Sequence, residues 1–136
     1  MTIKRFEEIE GWQVARQLTK EIYLESRKHP MRRDWRFCSQ IQSASVSIMS
    51  NIAEGFHSQS NKDFIRFLSY SIRSSAEVHS LLYVALDNTY IMQARFDELF
   101  ALTKLAAAKT TGFQNYLLGF EQNLNNSIKP ANRPTG

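Results

Sequence analysis

Residues that break or cross-link a chain are scarce in this sequence. Its 136 residues include 5 glycines, 3 prolines and a single cysteine, Cys38. One cysteine excludes an intramolecular disulfide and a cysteine-rich zinc site, and it fits a reducing cytoplasm without proving one. The low content of glycine and proline favours a helical chain.

The sequence also lacks a long apolar run. No uninterrupted stretch approaches the roughly 20 apolar residues that a membrane-spanning helix needs, and residues 1–8 form no apolar signal segment. Hydrophobic residues make up 43% of the chain and charged residues 22%, which is typical of one globular domain. We therefore expect a cytoplasmic protein that does not enter a membrane. The formal net charge of +4 allows a polyanionic partner without requiring one.

Apolar residues recur at steps of three and four along most of the chain, which predicts an all-α fold. The predicted helices cover about residues 6–29, 34–54, 61–87 and 93–123. Short connections between helices of this length predict an antiparallel up-down-up-down four-helix bundle over residues 1–124. Asp34 and Ser60 are predicted N-caps, and Gly55 is predicted to end the second helix in the left-handed conformation. Residues 125–136 have the composition of a flexible C-terminal tail.

Small side chains are concentrated on the second and third predicted helices. They are Ser43, Ala44, Ser45, Ser47, Ser50 and Ala53 on the second helix and Ser71, Ser74, Ser75 and Ala76 on the third. Such residues let two helix backbones approach closely, and we interpret Gly112 in the fourth helix in the same way. A nucleophilic serine would need a base within hydrogen-bond reach, and no histidine stands in a recognisable motif with a serine. We therefore predict no catalytic residue.

Asn51, Glu54 and Gly55 are candidate structural or oligomer-contact residues. Glu54 falls in the last turn of its helix, where its charge meets the negative end of the helix dipole. A compensating tertiary contact is therefore expected, with Glu54 pairing with Arg66 or Arg73 and Asn51 capping a neighbouring backbone. A catalytic role for Glu54 is not predicted, because no second carboxylate stands at a helical spacing that would make an acid/base pair.

Positive charge is concentrated around the first connection between helices. The candidate nucleic-acid-binding residues are Arg27, Lys28, Arg32, Arg33 and Arg36, with Arg66 and Arg73 on one face of the third helix. Arg32 and Arg33 precede a helix N-terminus, where the dipole is already positive, so local electrostatics do not explain them. They either contact a phosphate backbone or, alternatively, lie in a solvated loop or contact another subunit. Trp35 and Phe37 beside them are either base-stacking residues or part of the core.

Metal and cofactor motifs are absent from the sequence. The three histidines and Cys38 show no His-x₃-His or Cys-x₂-Cys spacing. No glycine-rich phosphate loop is present either. We therefore predict neither a metal nor a cofactor.

Several motifs, in their order along the chain, resemble one bacterial family. They are Trp12-x-x-Ala15-x-x-Leu18, Gln40-x-x-x-Ala44-x-x-Ser47-x-x-x-Asn51-Ile-Ala-Glu-Gly55, Ser60-x-Lys62-x-Phe64-x-x-Phe67-Leu68 and Ser75-x-Glu77. From about residue 10 to residue 122 the chain resembles the four-helix-bundle family of 23S rRNA intervening-sequence proteins. The Avd-type accessory proteins of diversity-generating retroelements are related to that family.

The resemblance implies a ring-like homopentamer encoded within intervening sequences of rRNA genes. For the Avd branch it implies binding to nucleic acid and to a reverse transcriptase through basic surfaces. This chain departs from the family pattern, because Gln42 and Ser43 stand where basic residues often occur and His57 and Ser58 where an arginine often follows. We predict a non-enzymatic oligomeric accessory or scaffold protein with nucleic-acid affinity through a basic face. The alternative is a protein–protein interaction module that does not bind nucleic acid.

Overall fold

The chain folds into four helices, which a computed structural model describes for residues 2–128. They are α1 (Glu10–Ser26), α2 (Trp35–Phe56), α3 (Asn61–Asp87) and α4 (Gln93–Ile128). Two short 3-10 turns, Phe6–Glu8 and Met31–Arg33, precede α1 and α2. No strand occurs among residues 2–128, and the predicted all-α fold is confirmed. Within the same residues no helix combines the length and the apolarity that are needed to cross a membrane.

Each helix packs on the next one in the chain, and α4 packs back on α1. Along the contact between α2 and α3, Ser47 meets Ser74 whereas Gly55 meets Phe64, so these two helices run in opposite directions. The other three contacts pair residues in the same antiparallel sense. These contacts are those of an up-down-up-down bundle. The connection between α1 and α2 therefore lies at the same end as the connection between α3 and α4.

The first helix is shorter than residues 6–29, the range that the sequence predicts. It begins at Glu10, because the Glu8 carboxylate accepts two backbone N–H hydrogen bonds of 2.8 Å from the residues ahead of it and closes a separate turn. It ends at Ser26, since Pro30 has no N–H to donate to the Ser26 carbonyl. The Cys38 sulfur lies 3.7 Å from that carbonyl oxygen instead. The predicted N-caps are confirmed, because the side chains of Asp34 and Ser60 accept backbone hydrogen bonds of 3.1 Å.

The last helix is longer than predicted. It continues to Ile128, so the prediction of a flexible tail is wrong for residues 125–128, and residues 129–136 lie outside the described residues. With 36 residues α4 is about twice as long as α1, which has 17, and α1 cannot cover its last turns. Phe120 and Leu124, which the apolar periodicity places on the core face, are consequently 51% and 47% exposed.

Gly55 does not end α2 in a left-handed conformation, and that prediction is wrong. The C-cap is His57, with φ of −89°, and Gly55 lies inside the helix. A Cβ at Gly55 would stand 2.7 Å from Cδ1 of Phe64 and 2.9 Å from Cβ of Phe67. The glycine is therefore required by close approach of α3. The opposite holds for Gly112, where a Cβ would meet no atom of the described chain within 4 Å, so the predicted close packing at that position is wrong.

Ser45, Ser71 and Ser75 are buried packing residues, as predicted, whereas Ser43 and Ser50, which the prediction also included, are exposed. Ser45 and Ser71 are fully buried. The Ser45 hydroxyl donates to the carbonyl of Gln42 at 2.9 Å in its own helix, and the Ser71 hydroxyl donates across to the carbonyl of Ile48 at 2.7 Å. Hydroxyls that are satisfied by backbone carbonyls stabilise a close contact between two helices and are not poised as nucleophiles.

His79 is a half-buried titratable group in the contact between α3 and α4. Its ring stacks on Phe100, with centroids 4.4 Å apart and planes at 26°, and its Nε2 atom has no hydrogen-bond partner among residues 2–128. Burial has the largest effect on the pKa of His79 and lowers it; the Phe100 backbone opposes this shift, and the charge of nearby Lys104 adds to it. The folded protein therefore favours the neutral ring.

We expect the free energy of unfolding to decrease as the pH falls below about 6.5, the ordinary pKa of histidine in an unfolded chain. Below that pH the unfolded state binds a proton that folded His79 resists until its own, lower pKa is reached. Urea unfolding at pH 7.5 and 5.5 measures the difference. His79→Phe, which keeps the stack on Phe100, should reduce it, whereas His29→Gln, at an exposed position, should preserve it. An unchanged difference in His79→Phe would assign the pH dependence to other groups.

Candidate nucleic-acid interface

Four arginines surround the connection between α1 and α2 and lie together at one end of the bundle. Arg27 caps α1, Arg32 and Arg33 belong to the 3-10 turn, and Arg36 lies in the first turn of α2. All four are exposed, and within residues 2–128 none of their guanidinium groups lies in an ion pair. We call these four residues the arginine cluster. Their charge is available to a partner because no carboxylate of the described chain neutralises it in a direct contact.

The backbone beneath the arginine cluster is held in place by buried contacts. Met31 is 3% exposed, and its carbonyl accepts a hydrogen bond from the Cys38 thiol at 3.3 Å. Asp34 accepts hydrogen bonds from the Tyr90 hydroxyl and from the backbone N–H of Phe37. Both bonds hold the pKa of Asp34 below its usual value, so this carboxylate stays ionised and is engaged in fixing the turn. The connection keeps an excess of positive charge.

The two aromatic residues beside the arginines have opposite environments. Phe37 is 6% exposed and packs against Tyr90, with ring centroids 5.5 Å apart. Trp35 is 81% exposed. Helical periodicity contains the signal for this difference, because Phe37 is one turn before buried Ile41, whereas Trp35 is one turn before exposed Ser39.

The side chains of the remaining basic candidates are engaged in contacts within the chain. Lys28 pairs with Glu25 at 2.8 Å, and Arg66 pairs with Asp63 at 3.1 Å. The guanidinium of Arg73 lies over the ring of Tyr70, 5.9 Å from its centroid.

Arg66 is also remote from the cluster along the bundle. It is adjacent in sequence to Phe67, which contacts Gly55, and Gly55 is about 28 Å along α2 from Arg36. A continuous basic strip from the connection to Arg66 is therefore not formed. Nucleic-acid binding by any of these residues stays a prediction.

Asn51 and Glu54 do not form the predicted pair of contacts. Asn51 donates from Nδ2 to the Ser47 carbonyl at 2.9 Å and to the Ser47 hydroxyl at 3.0 Å, and Ser74 donates to that hydroxyl from α3 at 2.9 Å. Asn51 thus supports a polar link between two helices. Glu54 is exposed and has no ion-pair partner in the part of the chain that the structure describes, so its predicted pairing with Arg66 or Arg73 is wrong.

A polar groove of about 450 Å³ runs between α2 and α3 from the arginine cluster. Its lining residues are Arg36, Ser39, Gln40, Ser43, Ala44, Ser47 and Glu77. The hydroxyl and amide groups in this lining can both donate and accept hydrogen bonds. The lining could be predicted in part from the sequence, since small polar residues recur every three to four positions along α2. The periodicity alone did not show that this stripe lines a groove and is not covered by another helix.

Most of the sequence matches a family model. The family model for "23S rRNA-intervening sequence protein" covers residues 7–112. Among solved structures, the chain is similar to a protein of unknown function from the S23 ribosomal protein family of Bacteroides thetaiotaomicron VPI-5482, with a TM-score of 0.71 and 17% identity. That similarity covers 77% of this chain and 95% of the other, and at this identity it shows the fold alone. No curated protein matches the sequence.

Proposed function

Because the chain belongs to the 23S rRNA-intervening sequence protein family, we propose that it is a non-enzymatic accessory protein that binds nucleic acid through the arginine cluster. The observation that carries this proposal is four exposed guanidinium groups within ten residues, without an ion-pair partner in the described chain. Phosphate contacts by such groups supply most of the affinity of sequence-independent binding. The site of action is the bacterial cytoplasm, where such nucleic acid is present.

Self-association is the second part of the proposal. The resemblance of the sequence motifs implies a homopentamer, and the exposed apolar side chains near the end of α4 support contacts with another chain. These side chains are Tyr116, Leu118, Phe120 and Leu124. An oligomer would present several arginine clusters to one polyanion, which raises the overall affinity without new contacts. A reverse transcriptase is a further partner only by the distant resemblance to the Avd-type proteins.

We expect the purified protein to bind RNA and DNA with an affinity that falls steeply as salt increases. Fluorescence anisotropy with labelled oligonucleotides from about 50 to 200 mM salt gives the slope of log K against log salt, whose magnitude is about 0.7 to 0.9 for each phosphate that the protein neutralises. The triple variant Arg32→Ala, Arg33→Ala, Arg36→Ala should reduce both the affinity and the steepness of this slope. Arg66→Ala is the control, because Arg66 is already paired with Asp63 on α3, at the opposite end of the bundle from the arginine cluster.

Absence of binding at about 50 mM salt would overturn the nucleic-acid proposal, since phosphate contacts are strongest there. Light scattering of the same samples distinguishes the alternative, a protein–protein interaction module. If the arginine cluster serves subunit contacts, the mass of the triple variant falls toward the 15.8 kDa of one chain. In that case any nucleic-acid binding is weak, and neither the triple variant nor Arg66→Ala changes it. The exposed apolar end of α4 is the observation that favours this second function.

A further inference from the structure

Trp35 is the most exposed large apolar side chain of the described residues, and the interactions within the chain do not explain it. At 81% exposure, its indole contacts neither an aromatic ring nor a guanidinium group at stacking distance among residues 2–128, although arginines adjoin it in sequence. The other tryptophan, Trp12, behaves differently: it is half-buried, it packs edge-on against Phe6 at 5.2 Å, and Arg16 lies over its ring. The exposed indole is therefore available to stack on a partner.

The backbone that carries Trp35 is held by hydrogen bonds and by a buried neighbour. Trp35 is the first residue of α2, directly after Asp34, whose carboxylate is fixed by the N–H of Phe37 and by the Tyr90 hydroxyl. Phe37, two residues later, is buried. An exposed aromatic ring on a fixed helical position is preorganised for binding, because little backbone entropy is lost when a partner stacks on it.

Charge complementarity indicates the kind of partner. The arginine cluster flanks Trp35 on both sides in sequence, and Ser39, one helical turn further on, leads into the polar groove. A flat aromatic face bordered by free guanidinium groups matches a nucleobase that is attached to a phosphate backbone. An apolar protein segment would match the ring but would leave the arginines without anions.

We infer that Trp35 stacks on an unpaired base of single-stranded nucleic acid while the arginine cluster contacts the adjoining phosphates, an inference that rests on the proposed nucleic-acid binding. Bases in a duplex are already stacked on their neighbours. The face of a base is therefore accessible to the indole only where bases are unpaired. Arg36 and the groove then lie beside the next nucleotide. The site reads the base face and the phosphate, which RNA and DNA share.

The test compares single strands with duplexes. Labelled oligo-U and oligo-dT are titrated at one salt concentration beside RNA and DNA duplexes of equal length. The wild-type protein should bind at least one single strand more tightly than its duplex. Trp35→Ala should weaken that binding about 5- to 150-fold, which corresponds to the loss of one base–aromatic stack, without changing the salt slope, because it removes no charge. Trp35→Phe should recover most of the affinity.

A spectroscopic reading separates stacking from a structural effect. Binding of a single strand should quench tryptophan fluorescence in the wild-type protein but not in Trp35→Phe, which retains only Trp12. Leu105→Ala, at a 44% exposed position of α4 remote from the arginine cluster, is the matched truncation and should bind as the wild type does. Because Trp35 is exposed, its variants should also unfold at the wild-type temperature.

Failure of this inference and failure of the proposed function give different results. If neither single strands nor duplexes bind, the nucleic-acid function itself fails. If both bind and Trp35→Ala changes neither affinity, the function stands and the stacking role is overturned. If Trp35→Ala lowers the oligomer mass while binding is unchanged, Trp35 is a subunit contact, and the stacking role is again overturned.

Discussion

Replacing Gly55 with alanine should lower the free energy of unfolding by about 1–3 kcal/mol, the usual cost of overpacking a core. The same change at an exposed helical position normally stabilises a protein. Here the added methyl group would stand 2.7 Å from Phe64 Cδ1 and 2.9 Å from Phe67 Cβ. The Phe64 ring can rotate, but a Cβ atom moves only with its backbone, so α2 and α3 must separate. Urea unfolding followed by circular dichroism measures the effect.

Gly112→Ala is the matched control, since Gly112 is an exposed helical glycine in the described structure. Nothing lies within 4 Å of a Cβ at this position, so alanine should raise the free energy of unfolding by about 0.5–1 kcal/mol. Equal effects of the two substitutions would contradict the close approach at Gly55. Loss of stability at Gly112 would mean that another chain occupies the space beside α4, which a measurement across protein concentrations would show.

Local signals predicted the fold well. The three- and four-residue periodicity located all four helices, and the N-caps Asp34 and Ser60 were identified because a cap depends on residues only three positions away. The role of Gly55 could not be predicted in this way. A helical glycine near the end of a pattern is typical of a cap, and only the position of Phe67 on another helix shows that it is a contact.

The candidate site was predictable in its composition but not in its geometry. The sequence identified the arginines. It also contained the partners of Lys28 and Arg66, because Glu25 and Asp63 each lie three residues before them. To predict that Trp35 is exposed, one must know which stripe of α2 faces the core. The periodicity along the whole of α2 shows this, because Phe37 continues the stripe of Ile41 and Trp35 that of Ser39, whereas a window of a few residues does not.

The arginine cluster and Ser47 are about three helical turns apart along α2, and these two regions of the bundle have different roles. At Ser47, hydroxyl groups link α2 to α3, and Asn51 supports them from the next turn. At the connection, buried Met31 and the Asp34–Tyr90 hydrogen bond fix a short turn whose arginine side chains are exposed. A substitution in the region of Ser47 should act on stability, whereas one in the arginine cluster should act on binding with little loss of stability, because exposed charges contribute little to folding.

Arg95→Ala should cost about 2–4 kcal/mol of unfolding free energy, somewhat less than the 3–5 kcal/mol for breaking a fully buried ion pair. Arg95 lies in the first turn of α4 and bonds through Nη2 to Glu21 at 3.1 Å, through Nε to Glu25 at 3.2 Å and through Nη1 to Glu98 at 3.0 Å. The Glu25 side chain is only 8% exposed, so removing the guanidinium leaves a poorly solvated carboxylate whose remaining partner is Lys28 at 2.8 Å.

The matched control is Lys109→Ala, which also breaks an ion pair between α4 and α1. Lys109 and Glu10 are 2.7 Å apart but are 45% and 65% exposed, so water solvates both groups and the expected loss is about 0–1 kcal/mol. Arg95→Lys should recover only part of the stability, because one ammonium group cannot reproduce the planar set of donors that reaches three carboxylates. Urea unfolding with an unchanged slope against denaturant would assign the losses to the folded state. If Arg95→Ala costs no more than Lys109→Ala, water reaches Glu25 in solution, and the joint between α1 and α4 depends on apolar packing rather than on this arginine.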